Sequence, residues 1–271
     1  MIGPMATDNL FAGSIPKIYD RFLVPLIFES YACDLARRLA GTDPRDVLET
    51  AAGTGVLTRA IAAQLPEVCL VATDLNQPML DHAAARQPGG RVAWRQADAL
   101  ALPFEIASFD AVVCQFGVMF FPDKVQGCKE THRVLRPGGH FFFSVWDRIS
   151  ENEFSDVVTR ALAALFPRDP PSFMARTPHG YHDVERIRDD LQTAGFKEIA
   201  IEAVDGKSRA ASPGDAAIAY CQGTPLRSEI EERDASGLEA ATRRATEALA
   251  QRFGPGPIEG RIRALVVTAV R

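Results

Sequence analysis

Four polar side chains stand at or just after the ends of consecutive apolar segments: Glu49, Asp74, Asp98 and Gln115. Ligands of open α/β sheets bind beyond the carboxyl ends of the strands, so we expect these side chains to line one site. A carboxylate offers two acceptor oxygens to a vicinal diol. Asp74, at the end of the second segment, therefore suits the two hydroxyls of a ribose.

A loop of small residues follows the first apolar segment. Ala51, Gly53 and Gly55 permit a sharp turn and the close approach of a ligand, and the helix predicted over residues 57–65 offers free N–H groups. A dinucleotide loop has the pattern GxGxxG, whereas Thr58 stands here at the third glycine position. A carboxylate at Glu49 would repel a pyrophosphate and attract an ammonium or sulfonium group. The sequence predicts a cationic ligand that carries a nucleoside.

Apolar segments alternate with helical patterns along the chain, which predicts a parallel sheet. The predicted strands are 47–49, 68–74, 92–96, 109–115, 140–146, 197–204 and 263–270. Residues 136–139 are predicted to form a turn, and the proline-rich residues 167–180 an irregular binding loop. The expected fold class is α/β, a Rossmann-like, seven-stranded, mostly parallel sheet with helices on both faces and a helical lid.

The domain prediction is one domain over residues 1–271, without a linker between two folding units. Residues 1–45 are expected to form an N-terminal helical cover and 46–150 the cofactor-binding core. Residues 151–271 are expected to form the acceptor-side half, with a helical insert at about 213–253. The N-terminal helices and the insert are predicted to act as the lid.

Composition limits the possible partners. The formal charge is −5 without a run of like charges, so nucleic acid is not an expected partner. The five cysteines are scattered without a CxxC pair, which favours free thiols in a reducing compartment and no metal site. We found no signal peptide and no membrane-spanning segment, so the cytoplasm is the expected location. The oligomeric state is not predicted.

Five motifs, in this order and spacing, resemble those of class I S-adenosylmethionine-dependent methyltransferases. The chain is similar to the ubiquinone/menaquinone-biosynthesis branch over about residues 46–146. The motifs are Glu49-x-Ala51-x-Gly53-x-Gly55, Asp74-Leu75-Asn76-x-x-Met79-Leu80, Gln96-Ala97-Asp98-Ala99, Phe109-Asp110-Ala111-Val112 and Arg133-Val134-Leu135-Arg136-Pro137-Gly138-Gly139.

The resemblance implies methyl transfer from S-adenosylmethionine, with S-adenosylhomocysteine as product, to a small hydrophobic or aromatic molecule. The implied cofactor-binding residues are Tyr19, Glu49, Ala51, Gly53, Gly55, Asp74, Leu75, Met79, Asp98, Ala99 and Gln115. Glu49 and the loop would surround the methionine part, with Gln115 facing its amino-acid end. Asp74 would hold the ribose.

Further roles follow from the same resemblance. Leu75 and Met79 would lie against the adenine, and Asp98 with the Ala99 backbone would bind the adenine edge. Tyr19 matches a tyrosine that often closes the site in this branch. Ala51 departs from the family, where many members have glycine, and an alanine is tolerated there if its φ is negative.

Two histidines are candidates for a catalytic base. His179 and His182 flank Gly180 and Tyr181 in the predicted binding loop, where relatives place acceptor-side residues, and imidazole suits proton removal near neutral pH. A helix-start role remains open for His182, which lies next to Asp183. Two other functions also remain open: an NAD(P)-dependent oxidoreductase, and a protein that binds S-adenosylmethionine without catalysis.

Overall fold

The computed structural model describes residues 15–87 and 90–271. The first fourteen residues of the predicted N-terminal cover lie outside the described residues. Among the described residues, no helix has the length and apolar character needed to cross a membrane.

A seven-stranded sheet forms the centre of the fold. Its strands are β1 (Asp46–Glu49), β2 (Cys69–Asp74), β3 (Val92–Gln96), β4 (Phe109–Gln115), β5 (Leu135–Trp146), β6 (Glu198–Ala210) and β7 (Ile258–Val270). The order across the sheet is β3-β2-β1-β4-β5-β7-β6. The four pairings among β1 to β5 are parallel, which confirms the predicted mostly parallel α/β sheet.

Strand β7 runs against this direction. The Gly138 N–H donates to the Arg271 carbonyl, and the Asp147 N–H donates to the Arg263 carbonyl. Residue numbers therefore rise along β5 while they fall along β7, which is the register of an antiparallel pair.

Helices connect and cover these strands. They are α1 (Ile15–Ile18), α2 (Glu29–Ala40), α3 (Val56–Gln64), α4 (Gln77–Arg86), α5 (Lys124–Val134), α6 (Glu153–Leu165), α7 (Phe173–Arg176), α8 (Val184–Ala194), α9 (Pro213–Gln222), α10 (Leu226–Arg233) and α11 (Leu238–Phe253). A π-helical segment, Tyr19–Phe28, joins α1 to α2. The predicted helical insert is thus three helices, and the predicted irregular loop contains one short helix, α7.

The turn predicted over residues 136–139 lies inside β5 as a bulge. Phe109 pairs with Leu135 and Ala111 pairs with His140, so two steps along β4 correspond to five along β5. Gly138 has a φ of 79° within the bulge. Glycine adopts this conformation without steric cost, which explains why the strand can continue through a turn-forming sequence.

The apolar core of the central strands lies on one sheet face, against α2 and α3. Side chains two residues apart on a strand point to the same face, so alternate residues of β1, β2 and β4 enter this core. Its buried members include Leu35, Leu39, Val47, Leu57, Ile61, Leu70, Ala72, Ala111, Val113 and Phe142.

The chain divides into two compact units. The first contains the described residues up to Phe28, with Trp146–Gly180 and Asp205–Ala264; the second contains Glu29–Val145, Tyr181–Val204 and Leu265–Arg271. Strands β6 and β7 contribute residues to both. The single-domain organisation stays a prediction, as does the lid role of the helical insert.

Within the first unit, a buried carboxylate fixes the start of α7. Glu229 accepts hydrogen bonds from the Ser172 and Phe173 N–H groups at 2.7 and 3.2 Å, and it pairs with Arg176 at 2.8 Å. Both members of the ion pair are almost fully buried. The proline-rich loop is therefore held to α10 by a charge-assisted network.

Candidate cofactor site in the second unit

Strand register places four polar side chains on the sheet face that α2 and α3 cover. Glu49 is paired with Ala72 and with Val113, and Asp74 and Gln115 lie two residues further along those strands. Side chains of paired residues, and of residues two apart, share a face. Gln115 is paired in turn with Ser144 on β5. Asp74, Gln115 and Ser144 thus form a row of polar side chains, here called the polar tier, near the carboxyl ends of β2, β4 and β5. Glu49 lies on the same face, level with the residues that precede Asp74 and Gln115 by two positions.

The loop after β1 takes left-handed backbone conformations at three residues. The φ angles of Ala51, Gly53 and Gly55 are 53°, 56° and 77°. The negative φ that was the condition for tolerating an alanine at position 51 is therefore not present. A left-handed alanine carries a steric cost of about 1 kcal/mol or more, because its Cβ approaches the following carbonyl oxygen.

Gly53 and Gly55 have different structural roles. A Cβ added to Gly55 would lie 3.0 Å from the Trp94 ring and 3.1 Å from the Ala83 methyl, so this glycine permits close packing. A Cβ added to Gly53 would meet no atom of the described residues within 4 Å. The backbone at Gly53 thus faces space that a ligand can enter.

Asp74 ties this loop to the end of β2. Its Oδ2 accepts from the Gly53 N–H at 2.8 Å, and its Oδ1 accepts from the Asn76 N–H at 2.8 Å. Burial raises the pKa of Asp74, while these hydrogen bonds lower it. The Asn76 side-chain amide is a second, long donor to Oδ1 at 3.4 Å. One acceptor position therefore remains on Oδ2, and a second diol hydroxyl would bind Oδ1 by displacing the Asn76 amide.

Glu49 is a buried acid held by one hydroxyl. The Thr58 hydroxyl donates to Oε2 at 2.5 Å, and the side chain is 1% exposed. Burial raises the pKa of Glu49 to about 8, although the Thr58 bond and the positive charge of Arg59 oppose the rise. Arg59 also donates to the Thr54 carbonyl at 2.7 Å, which fixes the loop. The contacts of Thr58 and Arg59 were not predicted from the sequence. The sequence feature that could have indicated them is the position of both residues in the first turn of the helix after the loop.

The candidate adenine-binding residues lie after β2 and β3. Leu75 is 49% exposed, and Met79 is buried on α4. Asp98 is exposed and accepts from the Leu100 N–H at 2.9 Å, with Ala99 partly buried beside it. The Ala97 N–H donates to the Asp74 carbonyl at 3.0 Å, which joins the two segments.

A strained turn follows β4. Gln115 is partly buried, and Phe116 after it has a φ of 53°. The Phe116 ring packs edge-on against Tyr31 on α2, with ring centroids 5.5 Å apart, and the Tyr31 hydroxyl donates to the Val204 carbonyl. A bulky residue with positive φ is rare, and such residues concentrate at functional sites. The sequence carries no direct signal for this strain.

Tyr19 and His179 belong to the first unit. Tyr19 stacks on Phe28, with ring centroids 5.3 Å apart. His179 is buried; its Nδ1 lies 2.8 Å from the Asp147 carbonyl and its Nε2 lies 3.1 Å from the Ser155 hydroxyl. A carbonyl only accepts, so Nδ1 carries the proton and Nε2 accepts from Ser155. The cofactor role of Tyr19 and the base role of His179 stay predictions.

His182 belongs to the second unit. It is partly buried and directly precedes Asp183, whose side chain accepts from the Glu185 and Arg186 N–H groups. Asp183 therefore caps α8, and His182 stands just before that cap. Its base role also stays a prediction.

The comparisons with known proteins agree with this geometry. A family model described as a methyltransferase domain matches residues 47–139. A demethylmenaquinone methyltransferase of Clavibacter sepedonicus is 30% identical over 173 residues, which cover 60% of this chain and 70% of the relative. The ubiquinone/menaquinone biosynthesis C-methyltransferase of Escherichia coli O1:K1 is 28% identical over 206 residues, which cover 71% and 77%.

A solved structure shares the fold. Phosphoethanolamine N-methyltransferase 2 of Haemonchus contortus, in complex with S-adenosyl-L-methionine, has a TM-score of 0.60 and 16% identity, covering 99% of this chain and 60% of that one. The sheet and the matched domain define a methyltransferase core. The chain belongs to the class I S-adenosylmethionine-dependent methyltransferases, in their ubiquinone/menaquinone-biosynthesis branch. Its cofactor is S-adenosylmethionine, and its acceptor is a small molecule.

The residues of the second unit fit this cofactor chemically. Asp74 retains an acceptor position on Oδ2 for a hydroxyl, the backbone at Gly53 faces open space, and Glu49 is a buried acid that a cationic group would stabilise in its ionised form. We therefore propose Asp74 for the ribose, and Glu49 with Ala51, Gly53, Gly55 and Gln115 for the methionine part. Leu75, Met79, Asp98 and Ala99 are proposed for the adenine.

The pKa of Glu49 predicts a pH-dependent stability. Its folded pKa is raised from 4.5 to about 8, so the folded chain binds this proton more tightly than the unfolded chain does. The resulting stabilisation is complete below pH 4.5 and is lost as the pH rises through 8. Relative to Glu49→Gln, the wild-type free energy of unfolding should fall by up to about 1.4 kcal/mol per pH unit between these values.

Urea unfolding without ligand, repeated from pH 5 to 8.5, measures this difference. Glu67→Gln, which removes an exposed carboxylate, is the control for the loss of one charge. A constant difference between wild type and Glu49→Gln across the range would contradict the raised pKa.

The left-handed Ala51 predicts an unusual response to glycine. Ala51→Gly should stabilise the chain by roughly 0.5–1 kcal/mol, because the relieved strain exceeds the entropy that glycine adds to the unfolded chain. Ala52→Gly is the matched control: it should destabilise by about 1 kcal/mol, because it adds the same entropy and deletes a buried methyl at a residue without positive φ. Urea unfolding of both variants measures the effects, and equal destabilisation would contradict the assigned strain.

Proposed function

We propose that the chain transfers a methyl group from S-adenosylmethionine to a ring carbon of a hydrophobic, quinol-type molecule. The observation that carries this proposal is the similarity to enzymes named for demethylmenaquinone and for ubiquinone/menaquinone C-methylation. The aromatic pair of Phe116 and Tyr31, next to the polar tier, supports it, because a flat aromatic acceptor packs well against aromatic rings.

The chemistry needs little more than alignment. When bound, S-adenosylmethionine supplies an electrophilic sulfonium methyl group and leaves as the neutral thioether S-adenosylhomocysteine. On the acceptor, loss of a hydroxyl proton enriches the adjacent ring carbon in electrons, and that carbon forms the new C–C bond. Its ring proton then leaves to restore aromaticity while the oxygen regains a proton, so one proton is released overall. The protein gains most of its rate advantage by holding both partners with little freedom.

Specific side chains would perform this alignment. Asp74 and the loop around Gly53 would anchor one end of the cofactor, and buried Glu49 would balance its positive charge. Phe116 and Tyr31 would exclude water from the reacting atoms. Proton removal from the acceptor hydroxyl and then from the ring carbon needs a base, for which His179 and His182 are the candidates. Tyr19 and the helical insert are proposed to close over the acceptor.

An anaerobic assay tests the proposal. A reduced 2-prenyl-1,4-naphthoquinone is incubated with the enzyme and S-adenosylmethionine, with catechol and a primary amine as parallel acceptors for oxygen and nitrogen. Mass spectrometry and NMR of the products should show a new C-methyl group on the naphthoquinol ring and no methylated catechol or amine. His179→Ala and His182→Ala in the same assay test the base: at least one should lower kcat/KM by about 100-fold or more.

Other results would each exclude part of the proposal. Methylation of catechol or of the amine alone would contradict a quinol acceptor. Binding of S-adenosylmethionine without any methylated product would favour the non-catalytic alternative. Unchanged kcat/KM in both histidine variants would remove these residues from the mechanism.

A further inference from the structure

The Ser144 hydroxyl is buried in the second unit without a hydrogen-bond partner. The side chain is 0% exposed, and its Oγ meets no donor or acceptor among the described residues. A buried hydroxyl without a partner lowers stability, because it gives up its hydrogen bonds to water. Valine or alanine at this strand position would avoid that cost. A residue that keeps such a cost at the end of a central strand calls for a functional reason.

The register places Ser144 at the end of the polar tier. Asp74 lies on β2, Gln115 lies on β4, and Ser144 is the direct neighbour of Gln115 on β5. The strands are about 4.8 Å apart, so Ser144 lies roughly 14 Å across the sheet from Asp74. The residues proposed for the cofactor extend from β3 as far as Gln115. Ser144 is the next position beyond them on the same face.

The strained turn adjoins this hydroxyl. The Phe116 N–H donates to the Ser144 carbonyl at 3.0 Å, and the left-handed φ of Phe116 accompanies the packing of its ring against Tyr31. Because Ser144 is covered in this state, a ligand can reach the hydroxyl only if neighbouring side chains move. Phe116 is hydrogen-bonded to the Ser144 backbone and has a left-handed φ, so a rearrangement of this turn toward an ordinary φ would release strain.

We propose that Ser144 is an acceptor-binding residue whose hydroxyl donates a hydrogen bond to a ring oxygen of the hydroxylated aromatic acceptor. This inference rests on the proposed function, because a hydrocarbon acceptor would offer no such oxygen. The contact fixes the rotation of the ring in its plane, and it thereby selects which ring carbon faces the transferred methyl group. Sites with a buried polar group discriminate strongly against ligands that leave this group unpaired.

Ligand titrations of Ser144→Ala test the proposal. The probes are the reduced 2-prenyl-1,4-naphthoquinone and 2-prenylnaphthalene, which lacks both oxygens, each titrated against the enzyme saturated with S-adenosylhomocysteine. Ser144→Ala should weaken quinol binding roughly 3- to 10-fold and change 2-prenylnaphthalene binding less than about 2-fold. Binding of S-adenosylhomocysteine itself should be unchanged.

Ser208→Ala is the matched control. Its hydroxyl is also fully buried and unpartnered among the described residues, but it lies on β6 in the first unit. Neither serine variant should lower the Tm, because each removes a buried group that forms no bond. Only Ser144→Ala should change quinol binding.

Each other outcome has a definite meaning. Unchanged quinol binding by Ser144→Ala would overturn the inference and leave the proposed function intact. Equal weakening for both probes would indicate a packing role, and weaker S-adenosylhomocysteine binding would assign Ser144 to the cofactor; both overturn the acceptor contact. A wild-type enzyme that binds neither probe would overturn the proposed function and this inference together.

Discussion

The hydrogen bond from the Gly53 N–H to the Asp74 carboxylate joins the two loops of the proposed cofactor site. The same carboxylate accepts from the Asn76 N–H, so one side chain fixes the turn that leads into α3 and the turn that leads into α4. Parallel strands bring these turns to one edge of the sheet, but the sheet does not orient them. Asp74 supplies that orientation.

Unfavourable features concentrate at this edge of the sheet. Ala51 and Phe116 hold left-handed backbone conformations, Glu49 is a buried acid, and the Ser144 hydroxyl has no partner among the described residues. Each feature lowers stability, and the apolar core between the central strands and α2 and α3 offsets the loss. Destabilising features of this kind occur where ligands bind. Polar groups that are already fully hydrogen-bonded without a ligand contribute little binding free energy when a ligand arrives.

The close contact between Ala51 and Gly117 shows how the two strained turns depend on each other. A Cβ added to Gly117 would lie 2.5 Å from the Ala51 methyl and 2.7 Å from the Cys114 sulfur. Only glycine fits at position 117, because the turn after β1 and the turn after β4 meet there. The alanine that departs from the family is therefore accommodated by a glycine in the turn after β4.

The sequence was sufficient for the sheet and for the positions of the acids. Strand–helix alternation has a clear periodicity, and residues such as Asp74 and Gln115 are located by the strand ends alone. The bulge in β5 was missed, because the residues that form a turn also form a bulge when the strand continues. The positive φ of Ala51 and Phe116 was beyond prediction, since tertiary contacts impose it against local preference.

The burial of Glu49 and Ser144 was also beyond prediction. A glutamate at a strand end and a serine near one are equally compatible with solvent exposure, and only the packing of the assembled fold decides whether they are buried. The raised pKa of Glu49 and the unpartnered hydroxyl of Ser144 follow from that packing. They are properties of the assembled fold and cannot be assigned to any short segment.

Calorimetric titration with S-adenosylhomocysteine tests the central claim, that Asp74 both shapes the site and holds the ribose. Asp74→Asn keeps the size of the side chain but replaces one acceptor oxygen with a donor. Asp81→Asn, an exposed carboxylate on α4 that accepts from Gln77, is the control. We predict that Asp74→Asn weakens binding at least 10-fold and that Asp81→Asn leaves it unchanged. Wild-type affinity in a folded Asp74→Asn variant would contradict the account.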